Sequence, residues 1–200
     1  MPLIRLLVCN TDALLRCVPG KERCHMERIW APWRMEFILN EKPSRCIFCL
    51  GEMPSEESDK ERLVLYRDTH SFVMMNRYPY TTGHLLVTPY RHVGSLQELT
   101  AEEMLQLFEN VRLACEVTTR ALSPQGFNIG INLGKVAGAG VEDHLHIHIV
   151  PRWVGDVNFM TVVADVRVVP EGLLATYEKF YPFFREVSAT AETERNNTKA

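Results

Sequence analysis

From Leu63 onward the apolar residues come in short runs broken by turn-forming residues, with one long exception. Leu63 to Arg67 and Ser71 to Asn76 read as two strands, with Asp68-Thr69-His70 between them. Tyr78-Pro79-Tyr80-Thr81-Thr82-Gly83 is a turn by its Pro and Gly. His84 to Thr88 is a third strand, stopped by Pro89. The exception begins at Thr100, where Glu103 three residues on makes a capping box. Behind it Met104, Leu107, Phe108, Val111, Ala114 and Cys115 share one stripe at helical spacing. That helix runs to about Leu122, where Ser123-Pro124 ends it, and Phe127 to Leu133 and Leu145 to Val150 are two further strands. Glu171 to about Val187 is a second helix, with Pro182 as its expected break. Strands in series with one long helix inserted predict an α+β fold, an antiparallel sheet with a long helix packed on one face.

Composition narrows this picture without changing it. The chain has 200 residues, 46% hydrophobic and 24% charged, with a net charge of −3. That is one globular domain with short extensions. No basic excess marks a nucleic-acid binder, and no apolar run reaches the roughly 18 to 20 residues of a membrane span. Residues 1–25 hold no clear signal sequence: Arg5 interrupts the apolar stretch, and Asp12 and Glu22 count against a transit peptide. They read as a dispensable extension before a domain over 26–187, and 188–200 as a frayed polar tail. Of six cysteines only Cys46 and Cys49 form a motif, Cys-Ile-Phe-Cys. A chain this size needs no disulfide framework, so a reducing, cytoplasmic setting is expected.

The chemistry concentrates in Asp143-His144-Leu145-His146-Ile147-His148-Ile149-Val150. Strand side chains alternate, so His144, His146 and His148 share one face, while Leu145, Ile147 and Ile149 face the core. The imidazole face is expected to meet something polar. Residues two apart on a strand are nearly ~7 Å apart, too far for all three histidines to meet one metal unaided. A neutral imidazole is, however, a good nucleophile toward phosphorus, provided its second nitrogen is held by an acceptor. The reaction also needs donors for the phosphate oxygens. Asn132-Leu133-Gly134-Lys135-Val136-Ala137-Gly138-Ala139-Gly140 lies just upstream, a glycine-rich loop without the Walker ending.

His-Leu-His-Ile-His-Ile-Val resembles the signature of the histidine triad (HIT) family, and Asn76 to His92 resembles its upstream strand–turn–strand. Trp30-Ala31-Pro32-Trp33-Arg34, Cys46-Ile47-Phe48-Cys49 and Pro151-Arg152-Trp153-Val154-Gly155-Asp156-Val157-Asn158-Phe159-Met160 resemble the branch with bacterial diadenosine tetraphosphate phosphorylases. The resemblance spans Met26 to Phe184 and implies the following roles. His146 is the nucleophile that takes up a nucleotidyl group, and His148 contacts the phosphate near the leaving group. Asn132, Gly138, Ala139 and Gly140 surround the phosphate, Asn76 meets the ribose, and Trp153 lines the nucleotide site. His84 stands behind the triad. Side-chain donation from the stretch just before the triad is lost here, because Ala139-Gly140-Val141 stands where many relatives carry Ser, Thr or Gln. Cys46, Cys49, His92 and His144 would hold a structural zinc ion. No organic cofactor is implied. The implied reaction is phosphorolysis of diadenosine tetraphosphate to ATP and ADP by a homodimer, with nucleotide and inorganic phosphate as partners. The alternative is hydrolysis of dinucleoside polyphosphates or nucleoside phosphoramidates. A non-catalytic nucleotide-binding protein would be expected to lack the middle histidine, which is present.

Overall fold

The computed structural model describes residues 46–50, 55–156 and 171–198. Residues 1–25, the Trp30–Arg34 motif and Val157 to Met160 lie outside the described residues. Among the described residues a short helix, α1 (Glu56–Arg62), precedes five strands: β1 (Val64–Arg67), β2 (Ser71–Met75), β3 (Leu85–Pro89), β4 (Gly126–Ile131) and β5 (Ile147–Arg152). The long helix α2 (Ala101–Leu122) joins β3 to β4, and α3 (Leu173–Thr198) closes the described chain. The sheet is antiparallel with strand order β1-β2-β3-β5-β4. This is the expected α+β fold.

Helix α1 is too short and polar to carry an apolar period, so the pattern of the sequence does not reveal it. Ser55 starts it by accepting the Ser58 N–H, and Leu63 ends it in the left-handed region at φ 65°. Strand β5 continues through Pro151, and β3 includes Pro89, where the sequence placed stops. Both prolines fall beyond the β3–β5 pairing, which runs only from Leu85↔Ile149 to Val87↔Ile147. The missing N–H therefore breaks no bond on that side.

The main core lies between the sheet and the two long helices. Thr100 and Glu103 form the expected capping box at the start of α2. Leu107, Val111, Ala114 and Val117 face the sheet, but Met104 and Phe108 of the expected stripe are 38% and 54% exposed. The buried stripe is rotated away from them, because α3 covers the opposite flank of α2. On α3, Tyr177, Phe180 and Phe184 are buried, each worth about 1.5–3 kcal/mol. The helix passes through Pro182, which is exposed, so the carbonyl freed by the ring is left to water. It also runs on to Thr198 over residues expected to form a tail, where Ala, Glu and Arg keep helix propensity after the apolar period ends. Gly83 permits the β2–β3 turn: its φ is +77°, and a Cβ there would lie 2.5 Å from Leu122 Cδ1.

The opposite face of the sheet carries a smaller cluster of Phe48, Val64, Phe72, Met74 and Leu86, together with the histidines. Here the expectation of a polar surrounding needs correction. His144 is fully buried and His146 is 5% exposed, and the Phe48 ring lies 5.4 and 4.9 Å from theirs. The Cys46–Leu50 segment folds over the imidazole face and covers it with an aromatic ring.

Candidate active site and metal centre

Only His148 of the three histidines lies in the β5 ladder; His146 sits on the arm just before it and His144 in the bend that opens that arm. That arm is pinned by its backbone. The Leu145 N–H donates to Val93 O at 2.7 Å, and Leu145 O accepts from the Thr88 hydroxyl at 2.9 Å. The buried side chains of Leu145, Ile147 and Ile149 hold the other face in the core.

Each imidazole of the triad has one nitrogen tied, Nε2 in His144 and Nδ1 in His146 and His148, and the partners differ. His144 Nε2 is 2.9 Å from Pro89 O, so it carries the proton and leaves the Nδ1 lone pair. His146 Nδ1 is 2.8 Å from His144 O, which leaves the Nε2 lone pair. His148 takes its tautomer from a longer chain. The Tyr80 N–H and the Asn76 amide both donate to His84 Nδ1, at 3.1 and 3.2 Å. His84 Nε2 must then donate to His148 Nδ1, 3.0 Å away, so His148 presents an N–H at Nε2. That Nε2 has no partner among the described residues. Burial, with neighbouring His148 and His146, lowers the His84 pKa to about 3. Burial and His146 lower that of His148 to about 4. Burial also lowers His144 and His146 against their backbone acceptors. All four rings are neutral at pH 7.

Cys46, Cys49, His92 and His144 come together as the resemblance implied, their ligand atoms all within 4.8 Å of one another. Cys46 Sγ is 3.4 Å from His144 Nδ1, and Cys49 Sγ lies 3.3 Å from His92 Nδ1 and 3.8 Å from His144 Nδ1. A tetrahedron with sulfur at about 2.3 Å and nitrogen at about 2.0–2.1 Å from zinc has S···N edges of about 3.6 Å. Two thiols and two imidazoles with these spacings fit a zinc ion, and the Pro89 carbonyl fixes the His144 tautomer that binding requires. The arm bearing His92 is braced next door. Arg91 pairs bidentately with Glu103 at 2.6 and 2.8 Å. The Arg91 guanidinium, helped by the Thr100 N–H, holds the buried Glu103 carboxyl down to about 2 against its own desolvation.

The remaining expected residues divide. Extending the β4–β5 register one residue past Ile131↔Ile147 sets Asn132 beside His146. The loop folds back over it: Asn132 Nδ2 is 4.0 Å from where a Gly138 Cβ would be. Gly134 and Gly138 have φ +78° and +90°, which a tight turn of this kind requires. The N–H groups of Gly138 and Ala139 bond within that turn, to Lys135 O and Gly134 O. Gly140 N–H makes no such bond among the described residues. Asn76 faces inward, with Oδ1 accepting from Tyr78 N–H and Nδ2 donating to His84. Trp153, expected in the lining of the nucleotide site, follows the end of β5, on the order of 16 Å along the chain from His148. Two residues the sequence did not single out do meet it. Phe48 packs on His146, and the half-exposed Tyr80 ring stacks 5.9 Å from His148. A signal for Phe48 existed in its place between the two cysteines.

A model of the HIT domain matches residues 57–154. An AP-4-A phosphorylase of Mycobacterium tuberculosis is 38% identical over 162 residues, covering 78% of this chain and 83% of the relative. The chain belongs to the HIT family. A bis(5'-nucleosyl)-tetraphosphatase [asymmetrical] of Schizosaccharomyces pombe is 38% identical over 113 residues, covering 56% of this chain and 62% of that one. Among solved structures, a hypothetical histidine triad nucleotide-binding protein of Sulfolobus tokodaii superposes with TM-score 0.53 at 27% identity, over 70% of this chain and 90% of the other. With its triad intact, this HIT protein is an enzyme of the family's transferase or hydrolase kind. Among the described residues no helix is long and apolar enough to cross a membrane.

Proposed function

We propose that this HIT protein transfers a nucleotidyl group from a dinucleoside polyphosphate to inorganic phosphate, converting diadenosine tetraphosphate to ATP and ADP. The observation that carries the reading is the His146 ring, held through Nδ1 by a backbone carbonyl with its Nε2 lone pair free. Its Nε2 attacks the α-phosphorus, a P–N bond forms, and the bond to the leaving polyphosphate oxygen breaks. Phosphate then attacks the same phosphorus, forms the new P–O bond and releases His146. His148, neutral and presenting Nε2–H, donates a hydrogen bond to the leaving oxygen rather than a proton. A polyphosphate leaves without being protonated, whereas an amine does not, which favours polyphosphates over phosphoramidates. Asn132 and the Gly140 N–H serve the phosphate oxygens, since the N–H groups of Gly138 and Ala139 are spent on their own turn, and Trp153 is assigned to the nucleotide. Asn76, tied to Tyr78 and His84, acts through the chain that sets the His148 tautomer.

The similarity to the M. tuberculosis phosphorylase supports phosphate as the second acceptor. Hydrolysis is the second reading, favoured by the likeness to the S. pombe tetraphosphatase. Product analysis separates them. Phosphorolysis gives ATP and ADP only when phosphate is present; phosphate-independent release of two ADP, or of ATP and AMP, would establish a hydrolase.

Zinc would be held by Cys46, Cys49, His92 and His144, and when bound it fixes the arm that carries the triad. It fills a structural role, because four protein ligands complete its shell. A homodimer is supported by the free edge of β4, where Asn128, Ile129 and Gly130 are exposed. On the uncovered flank of α2, Met104, Leu105 and Phe108 are exposed as well. A second copy pairing along β4 would satisfy the edge and cover apolar side chains. The cytoplasm suits the free thiols of Cys46 and Cys49. Residues 26–187 are taken as the working domain.

A further inference from the structure

Strand β4 carries glycine at an interior position, Gly130, where glycine gives up packing and conformational entropy. The backbone supplies no reason for it. The glycines at positive φ are 83, 134, 138 and 155 among the described residues, and 130 is not one of them. A Cβ built at Gly130 would meet no atom within 4 Å. What distinguishes the position is its neighbour. His148 pairs with Leu86 of β3 on one side and with Gly130 of β4 on the other. Directly opposed residues of antiparallel strands lie about 4.5–5.5 Å apart at Cα and point to the same face. One flank of His148 is therefore filled by a leucine that is 4% exposed, and the other flank is bare backbone.

The bare ground continues. On the same face of β4 follow Asn128 and Gly126, and a Cβ at Gly126 also meets nothing within 4 Å. Arg152, on the same face of β5, donates from Nη1 to Asn128 Oδ1 at 2.7 Å. The Asp156 carboxylate steadies that guanidinium from its other edge. A floor of Gly130, Asn128 and Gly126 thus runs along β4 from the flank of His148, with Val150 opposite Asn128, and an amide and a guanidinium cross it. We infer that this strip seats the leaving polyphosphate of the substrate, and that Gly130 is the specificity-determining residue that admits a long leaving group beside His148. The inference rests on the nucleotidyl-transfer reading and specifies its substrate class: nucleotides whose leaving group is a polyphosphate chain rather than a small anion. Room is the leading factor, since Asp156 neutralises the Arg152 guanidinium and leaves its remaining N–H groups, with the Asn128 amide N–H, to hydrogen-bond the chain that the glycine lets in.

The test is Gly130→Val, with kcat/KM measured for diadenosine tetraphosphate and for adenosine 5′-phosphosulfate, whose leaving group is a lone sulfate. Valine suits a strand better than glycine, so the melting temperature should hold or rise. The ratio of kcat/KM, tetraphosphate over phosphosulfate, should fall at least ~10-fold, with Gly130→Ala in between. The loss should appear largely in KM for the tetraphosphate. An unchanged ratio in a folded Gly130→Val protein would overturn the inference alone. A marked drop in melting temperature would also overturn it, by showing that the backbone needs glycine. A wild-type protein that turns over the phosphosulfate and not the tetraphosphate would instead overturn the polyphosphate reading, and this inference with it.

Discussion

His144 and His146 are two residues apart, face the same way and are both buried, yet they belong to different chemistries. His144 is tied at Nε2 and turns Nδ1 toward two cysteines and His92. His146 is tied at Nδ1 and keeps Nε2 free. His148, two residues further on, is tied at Nδ1 by a donor rather than an acceptor, and so ends as an N–H group. On the proposed function, three copies of one side chain serve as a metal ligand, a nucleophile and a hydrogen-bond donor according to which nitrogen is held and by what. The strand supplies the shared face, and the neighbours supply the difference. The acceptor for His146 is the carbonyl of His144 itself, so the residue that faces the two cysteines also sets the orientation of the proposed nucleophile.

The largest effect should come from the nucleophile. His146→Ala should lower turnover of diadenosine tetraphosphate by at least ~10⁴-fold while nucleotide affinity stays within a few-fold, because the loss falls on the transition state. Substantial residual turnover would erase the distinction between His146 and its neighbours. His148→Ala should cost less, about 10²–10³-fold in kcat, since it assists the leaving group without forming a bond. His84→Ala should cost less again, because it acts only through the His148 tautomer; an equal or larger loss would show that the relay is misassigned.

The metal half is tested by Cys49→Ser. Purified wild type should hold close to one zinc per chain. The variant should lose it and be less stable by several kcal/mol, measured by metal analysis and urea unfolding. Full stability without metal would show that the cluster does no more than pack.

A smaller effect sharpens the catalytic half. His84 and His148, with pKa values near 3 and 4 when folded, take a proton more readily when unfolded, near the ordinary 6.5. Below about pH 6.5 the unfolded chain binds more protons than the native one. Stability is therefore fully present above that pH and falls as pH drops toward 4, by a few kcal/mol in all. Urea midpoints at pH 7 and pH 5 should show it, using the Cys49→Ser protein so that metal release does not contribute. A flat profile would mean that the rings are not buried neutral. The smallest effect is expected from starting the chain at Met26, which should leave activity within about twofold.

Much of the fold was legible because burial has a period. The five strands and the capping box of Thr100 and Glu103 could be read directly. The errors came where a neighbour decides. Met104 and Phe108 fit the helical stripe, but the placement of α3 rotates burial away from them. Pro182 is accommodated inside α3 on its exposed side, and exposure is a tertiary property. In the site, the alternation of histidines pointed to shared chemistry, while their division of labour lies in Pro89 O, His144 O and His84, which no spacing reveals. The gathering of Cys46, Cys49, His92 and His144 was reached through resemblance, since a single Cys-x-x-Cys is half a site. Phe48 and Gly130 were passed over because an apolar ring and a missing side chain gain meaning only from what lies across from them.

The central claim is that His146 Nε2 carries the nucleotide during turnover. Wild-type protein mixed with diadenosine tetraphosphate labelled at the α-phosphorus, quenched in base and digested, should yield one labelled peptide. The label should be acid-labile, as a phosphoramidate is, should map to His146, and should disappear when phosphate is added before the quench. A label on another residue, or turnover with no covalent species at any time point, would contradict the account.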